Sequence, residues 1–218
     1  MKNKGKLITL EGPDFSGKST QFKQVMANFK DNNILYTREP GSFLPESMYY
    51  CEEIRNEILN NNWDPLREAE LFAESRYEHT KEIVKYANEG YNILCDRYIV
   101  SSLAYLGFAQ ELGKDKIYEL NRNSIDLLEK NNMSIYNFKF AISKDVWEER
   151  KKERLKKESA DSIESKNIYD KIFEFYNNDN LFYDYTDRLN MFTHTINANE
   201  SINDISKKIL KLVNILAR

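Results

Sequence analysis

Residues 12–19 read Gly-Pro-Asp-Phe-Ser-Gly-Lys-Ser, and a short apolar run at residues 7–10 precedes them. This spacing fits the pattern G-x-x-x-x-G-K-[S/T], placed between a predicted strand and a predicted helix. Its glycines let the backbone turn so that successive N–H groups converge on a phosphate, and the helix that begins near Ser19 adds the positive end of its dipole. The stretch therefore predicts a phosphate-binding loop rather than a chance glycine-rich turn.

Several residues of this loop have a predicted role in binding a triphosphate. The Lys18 ammonium should reach the β- and γ-phosphates, and Ser19 offers its hydroxyl to a Mg²⁺ ion that bridges phosphate oxygens. The predicted nucleotide contacts are Gly12, Asp14, Ser16, Gly17, Lys18, Ser19 and Thr20. Switches, motors and kinases share such loops, so the loop alone does not name a reaction.

Short apolar or β-branched runs alternate with longer amphipathic stretches, which is the pattern of βαβ units. The sequence predicts an α/β fold with a five-stranded, mostly parallel sheet flanked by helices. Predicted strands cover residues 6–10, 33–37, 91–95, 137–142 and 191–196. Predicted helices cover residues 19–30, 45–60, 66–88, 100–112, 114–130, 144–157, 166–188 and 201–217. Ser201 is the expected N-cap of the last helix.

Length and composition favour one domain over residues 1–218. The chain has only 7 Gly and 4 Pro, and no linker-like segment or evident repeat. A net charge of −3 gives no global positive field to hold a nucleic-acid polymer or an anionic membrane, so binding should be local. The apolar run at residues 7–10 is too short for a signal peptide or a membrane span, and we expect a cytoplasmic protein.

The sequence also predicts a second phosphate site. A guanine-reading Asn-Lys-x-Asp does not occur, which counts against a GTP switch. A kinase needs a site for the acceptor, and arginine suits an acceptor phosphate because its planar fork donates two parallel hydrogen bonds. Arg38 and Arg97 each follow a predicted strand, at the edge where open α/β sheets bind ligands.

Three further motifs resemble those of one kinase family. They are Thr-Arg-Glu-Pro-Gly at 37–41, Leu-Phe-Ala-Glu-Ser-Arg at 71–76, and Cys-Asp-Arg-Tyr at 95–98 followed by Ser-Ser-Leu-Ala-Tyr at 101–105. Residues 10–21 resemble Leu-Glu-Gly-x-Asp-x-x-Gly-Lys-Ser-Thr-Gln, and together these motifs make the chain similar to thymidylate kinases over most of residues 7–107. The resemblance implies a P-loop kinase three-layer fold with a helical lid, a homodimer, and Mg²⁺-dependent transfer of the γ-phosphoryl group of ATP to dTMP.

The resemblance implies roles for the charged residues at the strand ends. Arg38 and Arg97 match arginines that contact the acceptor phosphate, and Asp96 matches an aspartate that helps organise Mg²⁺ and the reacting oxygens. Lys18, Asp96 and Arg97 are thus expected in catalysis, with Ser19 and Asp96 at the metal. The alternative for Asp96 and Arg97 is an ordinary surface pair, because exposed charge pairs are common.

Base and sugar contacts are also implied. Phe72 and Arg76 stand four apart on a predicted helix, where periodicity alone indicates core and rim. By resemblance, Phe72 stacks on thymine, Arg76 donates to a thymine carbonyl, and Asp14 contacts the 3′-hydroxyl. Tyr105 is expected to crowd the 2′ position and Ser102 to contact the base, with packing roles as the alternative for both.

The catalytic arginine is expected in a lid at about residues 144–164. Some family members carry an arginine in the loop where this chain has Phe15, and others carry it in the lid. The charged stretch at 148–158 lies where that lid should be, which makes Arg150 and Arg154 candidates for neutralising charge on the transferred group. Read alone, the stretch is a solvated helix with i,i+4 charge pairs.

The chain departs from the family pattern in places. Leu106 stands where many bacterial members have Gln, residues 41–42 are Gly-Ser rather than Gly-Gly, and residues 43–53 are unusual. Residues 161–164, Asp-Ser-Ile-Glu, echo the family's Asp-Arg-x-Glu. A kinase for another deoxynucleotide or a deoxynucleoside, and a nucleotide-binding regulatory protein without turnover, are therefore the alternative functions.

Overall fold

A computed structural model describes residues 4–29, 33–156 and 164–216. Its strands β1 to β5 form one sheet in the order β2-β3-β1-β4-β5, and every pairing is parallel. The strands are β1 Leu7–Glu11, β2 Ile34–Arg38, β3 Asn92–Asp96, β4 Ile135–Ala141 and β5 Met191–Asn197. The predicted five-stranded α/β sheet is confirmed, and each predicted strand end lies within two residues of the observed one.

Helices pack on both faces of the sheet and make three layers. They are α1 Lys18–Asn28, α2 Met48–Asn60, α3 Pro65–Asn88, α4 Ile99–Ser102, α5 Lys114–Leu120, α6 Arg122–Lys130, α7 Lys144–Leu155, α8 Glu164–Asn177, α9 Asp179–Thr186 and α10 Ile202–Leu216. Adjacent residues of β1 face opposite sides, since Leu7 belongs to one buried apolar cluster and Ile8 to the other. Both faces of the parallel sheet are therefore covered.

Helix boundaries follow local capping chemistry. The Asp64 carboxylate accepts hydrogen bonds from the N–H groups of Leu66 and Arg67 at the start of α3. Ser201 caps α10 as predicted, because its hydroxyl accepts the Asp204 N–H at 3.2 Å. Both carboxylate and hydroxyl thereby satisfy first-turn donors that have no partner within the helix.

Three predicted helices are interrupted. The segment at 100–112 is α4 followed by a π-helical stretch, Leu103–Ala109. The segment at 114–130 breaks at Asn121, and the one at 166–188 breaks at Asn178, whose side chain accepts the Leu181 N–H and caps α9. Asparagine competes for backbone hydrogen bonds in this way, which amphipathic periodicity does not register.

The phosphate loop joins β1 to α1 at the carboxyl edge of the sheet. Gly17, with φ of 90°, precedes α1 in the left-handed region that favours glycine. Arg38 pairs with Asp96 in the strand register, and Asp96 pairs with Leu10, so three strand ends meet beside the loop. Residues 157–163, which include part of the predicted lid and of the 161–164 echo, lie outside the described residues. Within the described ranges, no helix combines the length and apolarity needed to cross a membrane.

Candidate active site

A cavity of about 170 Å³ opens beside the phosphate loop, and it gathers six of the predicted substrate residues. These are Asp14, Phe72, Arg76, Arg97, Ser102 and Tyr105. The remaining lining residues are Glu39, Pro40, Glu68, Tyr98, Ser101 and Leu106. The π-helical stretch contributes to this wall, because Tyr105 and Leu106 on it both reach the cavity.

Arg97 and Asp14 line the cavity next to the phosphate loop. The Arg97 guanidinium donates to the Asp14 carboxylate at 2.6 Å, and the Tyr105 hydroxyl donates to the other carboxylate oxygen at 2.5 Å. Burial alone would raise the pKa of Asp14, but the Arg97 and Lys18 charges and these hydrogen bonds outweigh it and lower the pKa. Asp14 is therefore an anion held in a fixed position, with Arg97 stacked over the Tyr105 ring at 5.1 Å.

Arg76 forms the buried end of the same cavity. It is 2% exposed, and its three nitrogens donate to Glu39 at 2.7 Å, Asn121 at 2.6 Å and Ser102 at 2.9 Å. Phe72 lies one turn earlier on α3 and also lines the cavity. The arrangement presents an aromatic face next to a fixed guanidinium, which suits a planar, hydrogen-bonding ring.

A buried series of contacts through Glu39, His79 and Thr37 holds Arg76 in place, and the sequence analysis did not predict it. Glu39 accepts from Arg76 through one oxygen and lies 3.1 Å from Nδ1 of His79 through the other. His79 is fully buried, and its Nε2 lies 2.8 Å from the Thr37 hydroxyl. Glu39 stood in a motif used for the family resemblance, but only its burial reveals that it partners Arg76.

Glu11 supports the turn that carries Arg97, and it too was missed. Its carboxylate accepts from the Tyr98 N–H at 2.6 Å, the Ser101 hydroxyl at 2.7 Å and the Tyr176 hydroxyl at 2.9 Å. Burial raises the pKa of Glu11 despite the nearby Arg97 charge and these three hydrogen bonds. An acidic residue at the end of an otherwise apolar strand was the sequence signal for this role.

Lys18 lies within the phosphate loop, where its ammonium donates to the Pro13 carbonyl at 2.7 Å. It is 4% exposed. Burial first, and then the Arg97 charge, lower the pKa of Lys18 to about 7, although Asp14, Asp96 and Glu11 oppose the shift. A bound phosphate would restore the charged form of this lysine.

Ser19 and Asp96 bring two oxygen groups together beside the phosphate loop. The Ser19 hydroxyl donates to Oδ2 of Asp96 at 3.2 Å. Oδ1 of Asp96 is buried and has no hydrogen-bond partner among the described residues. A carboxylate and a hydroxyl are oxygen ligands that Mg²⁺ accepts when phosphates and water complete its shell, so these residues fit the ion.

Arg38 is the one predicted acceptor ligand that the structure does not bring into the cavity. The Arg38 guanidinium donates to the Glu52 carboxylate at 2.8 Å and stacks on the Phe43 ring at 4.6 Å. Its Nε is buried without a partner among the described residues. Thr20 is exposed on the first turn of α1. The unusual segment that follows residue 42 thus supplies both partners of Arg38.

Helix α7 lies against the outer side of the loop. Arg150 donates to the carbonyls of Ser16 at 3.3 Å and Ala198 at 3.0 Å, whereas Arg154 is exposed. Trp147, which sequence reasoning missed, is 1% exposed, and its indole N–H donates to the Asp14 carbonyl at 2.8 Å. Phe15 packs edge-on against Trp147 with ring centroids 6.3 Å apart.

Comparison with known proteins gives one consistent family. Residues 10–209 match the family model described as thymidylate kinase. A thymidylate kinase of Clostridium novyi is 42% identical over 130 residues, which are 57% of this chain and 61% of that protein. One from Bacillus cereus is 42% identical over 125 residues, which are 55% of this chain and 58% of that protein. The chain thus spans about three-fifths of the length of these curated relatives.

A solved structure matches the fold along nearly the whole chain. The crystal structure of thymidylate kinase from Ehrlichia chaffeensis superposes with a TM-score of 0.62 and covers 97% of this chain and 99% of that one. Sequence identity in this match is 23%. At that identity the likeness establishes the P-loop kinase fold, and the site must be judged on its own residues.

Proposed function

Because the chain belongs to the thymidylate kinase family, we propose that it transfers the γ-phosphoryl group of ATP to dTMP, giving dTDP and ADP. The observation that carries this proposal is the cavity beside the phosphate loop, which is lined by Arg97 and Asp14 at the loop and by Arg76 and Phe72 on α3. A nucleoside monophosphate has the same polarity, with a phosphate and sugar at one end and a base at the other.

The acceptor is held along the cavity. Arg97 binds the monophosphate, Asp14 accepts a hydrogen bond from the 3′-hydroxyl, and Tyr105 fills the space beside the 2′ position. Phe72 stacks on the base, while Arg76 and Ser102 donate to its polar edge. Asp14, Tyr105 and Arg76 already have their side chains fixed by short hydrogen bonds, so little ordering is needed when the acceptor binds.

The donor is held by the loop. Main-chain N–H groups of residues 14–20 and the Lys18 ammonium bind the phosphates, and Ser19 and Asp96 would hold Mg²⁺. When bound, the ion offsets charge on the phosphate oxygens. Arg38 completes the acceptor phosphate site if its guanidinium leaves Glu52, and Arg150 and Arg154 contribute positive charge from the lid. Positioning and charge neutralisation account for most of such a reaction, since the protein forms no covalent bond.

An acceptor panel tests this function. Purified protein with Mg-ATP should convert dTMP to dTDP at least tenfold faster than it phosphorylates UMP or thymidine, because Arg97 binds a phosphate and Tyr105 disfavours a 2′-hydroxyl; a factor of about ten corresponds to one well-made polar contact. Coupled ADP release measures the rates. Equal turnover of another deoxynucleotide would contradict the assignment of dTMP as the acceptor, and equal turnover of thymidine would indicate a nucleoside kinase.

A regulatory protein without turnover is the candidate from another class. It has no need of an acceptor site, and the chain retains the Arg97–Asp14 pair. Absence of turnover with every acceptor, together with normal ADP binding, would favour it.

We also propose a cytoplasmic homodimer. Helix α2 supports the dimer, because it packs on α3 but leaves Met48, Tyr49 and Leu59 at 47%, 76% and 61% exposure. Light scattering should give twice the mass of the chain, and Tyr49→Glu should lower it; a monomeric wild-type protein would contradict this proposal.

A further inference from the structure

Two side chains of α7 donate to main-chain carbonyls of the phosphate loop. The Trp147 indole donates to the Asp14 carbonyl at 2.8 Å, and Arg150, one turn later, donates to the Ser16 carbonyl at 3.3 Å. The two carbonyls are two residues apart in the loop. Residues 147 and 150 stand three apart on a helix, so both side chains project from one face.

A carbonyl that is fixed in a trans peptide also fixes the N–H of the next residue. The planar peptide group holds C=O and N–H in opposite directions, and the only cis bond among the described residues is Glu39–Pro40. The Asp14 carbonyl faces Trp147, so the Phe15 N–H faces away from α7. By the same geometry, the Gly17 N–H faces away from Arg150.

Successive carbonyl groups of the loop also point in different directions. The Pro13 carbonyl accepts from the Lys18 ammonium within the loop, whereas the next carbonyl, of Asp14, accepts from Trp147 outside it. Phe15, which follows Asp14, has φ of 65°, an unfavourable left-handed conformation for an aromatic residue. Such a conformation persists only where its surroundings hold it.

Trp147 is itself held firmly. Its ring lies 4.8 Å from Phe173, and the ammonium groups of Lys144 and Lys151 lie 4.6 Å and 4.4 Å from its centroid. Phe15 packs between Trp147 and Tyr169, with a centroid distance of 5.3 Å to the latter. The indole donor is therefore a rigid reference point for the loop.

We propose that Trp147 and Arg150 are positioning residues, Trp147 orienting the loop N–H group of Phe15 and Arg150 that of Gly17 toward the donor phosphates. The chain thereby uses α7 to preorganise the anion site from outside the loop. The inference rests on the proposed nucleotide site, but it concerns phosphate binding alone and is independent of the acceptor.

Trp147→Phe tests the inference, because phenylalanine retains an aromatic ring and lacks the N–H. ADP should bind about three- to tenfold more weakly, as expected for one neutral hydrogen bond, while dTMP affinity stays within twofold. Trp63→Phe is the matched control, since Trp63 is 38% exposed and its indole donates to the Glu57 carbonyl at 3.3 Å, away from the loop. That variant should bind ADP as the wild type does.

Amide NMR separates positioning from general packing. ADP should shift the Phe15 and Gly17 amide protons of the wild type downfield, and Trp147→Phe should reduce the Phe15 shift and leave that of Gly17. Since Trp147 is buried, a variant with 3-benzothienylalanine at 147 provides the same loss of the donor with the shape of the ring retained.

The outcomes are distinct. Wild-type ADP affinity in the 147 variants, or equal loss of ADP and dTMP binding with a lowered Tm, would overturn the positioning role. Failure of dTMP turnover with ADP binding intact would overturn the proposed acceptor and leave this inference standing. No ADP binding by the wild type would overturn both.

Discussion

The two halves of the candidate site are built in different ways. The acceptor cavity consists of charged side chains that bond one another, such as Arg97 with Asp14 and Arg76 with Glu39. The donor loop exposes main-chain groups, and side chains of α7 bond its carbonyls from behind. A substitution in the acceptor cavity leaves a buried charge without its partner. A substitution on α7 removes one hydrogen bond to the donor loop, whose conformation is still largely defined by the rest of its backbone.

The largest effect should follow from breaking the buried acceptor half at Arg76. Arg76→Ala leaves the Glu39 carboxylate, at 7% exposure, without its guanidinium partner. We expect the free energy of unfolding to fall by about 3–5 kcal/mol, measured by urea denaturation. The matched control is Arg67→Ala on the same helix, where the ion pair with Glu70 is 42% and 44% exposed. This control variant should lower the free energy of unfolding by about 0–1 kcal/mol.

A double variant sharpens that prediction. Arg76→Met with Glu39→Gln removes both charges and keeps much of the volume, so it should recover most of the lost stability. It should not recover dTMP binding, because the Arg76 guanidinium that donates to the base is gone. Equal stability losses for Arg76→Ala and Arg67→Ala would show that burial does not distinguish the two pairs.

The same contrast explains what sequence can predict. The loop at 12–19 and the alternation of strands and helices were readable, because each depends on local spacing. The family motifs also predicted one group of site residues, which consists of Asp14, Phe72, Arg76 and Arg97. Residues 39 and 147 were not, since their partners lie 37 and 133 positions away along the chain. Only the packed fold brings such pairs together.

Arg38 marks another limit of reading from sequence. Its place at the end of the second strand was predicted, and the register puts it beside Asp96. Its side chain, however, is directed by Glu52 and Phe43 from a segment that departs from the family pattern. A motif fixes where a side chain starts, while its neighbours decide where the guanidinium lies.

The next largest effects should be on the kinetic constants, and they should differ between the donor loop and the acceptor cavity. Lys18→Ala should lower kcat by about 10²–10³-fold with little change in the KM for dTMP, since the ammonium acts on the transferred group. Arg97→Ala should raise the KM for dTMP about 30-fold or more, because it removes the acceptor cation and strands Asp14. Steady-state assays with each substrate varied in turn measure both. Finding the reverse pattern would exchange the two roles.

The smallest effect concerns protons taken up by the donor half. In the free protein the pKa of Lys18 is about 7, so at pH 8 its amine is mostly neutral. Phosphates favour the ammonium and raise its pKa, so ADP binding should take up close to one proton at pH 8. Affinity should therefore fall as pH rises above 7, by at most about tenfold per pH unit, and lose this dependence below pH 7. The unfolded chain, with the ordinary lysine pKa of 10.5, binds more protons than the folded one above pH 7, so this group makes stability rise with pH there.

Calorimetry at pH 8 in buffers of different ionisation enthalpy measures the proton uptake on ADP binding directly. Lys18→Arg, whose guanidinium stays charged, should bind ADP without it, and the same buffer dependence in both proteins would place the proton on another group.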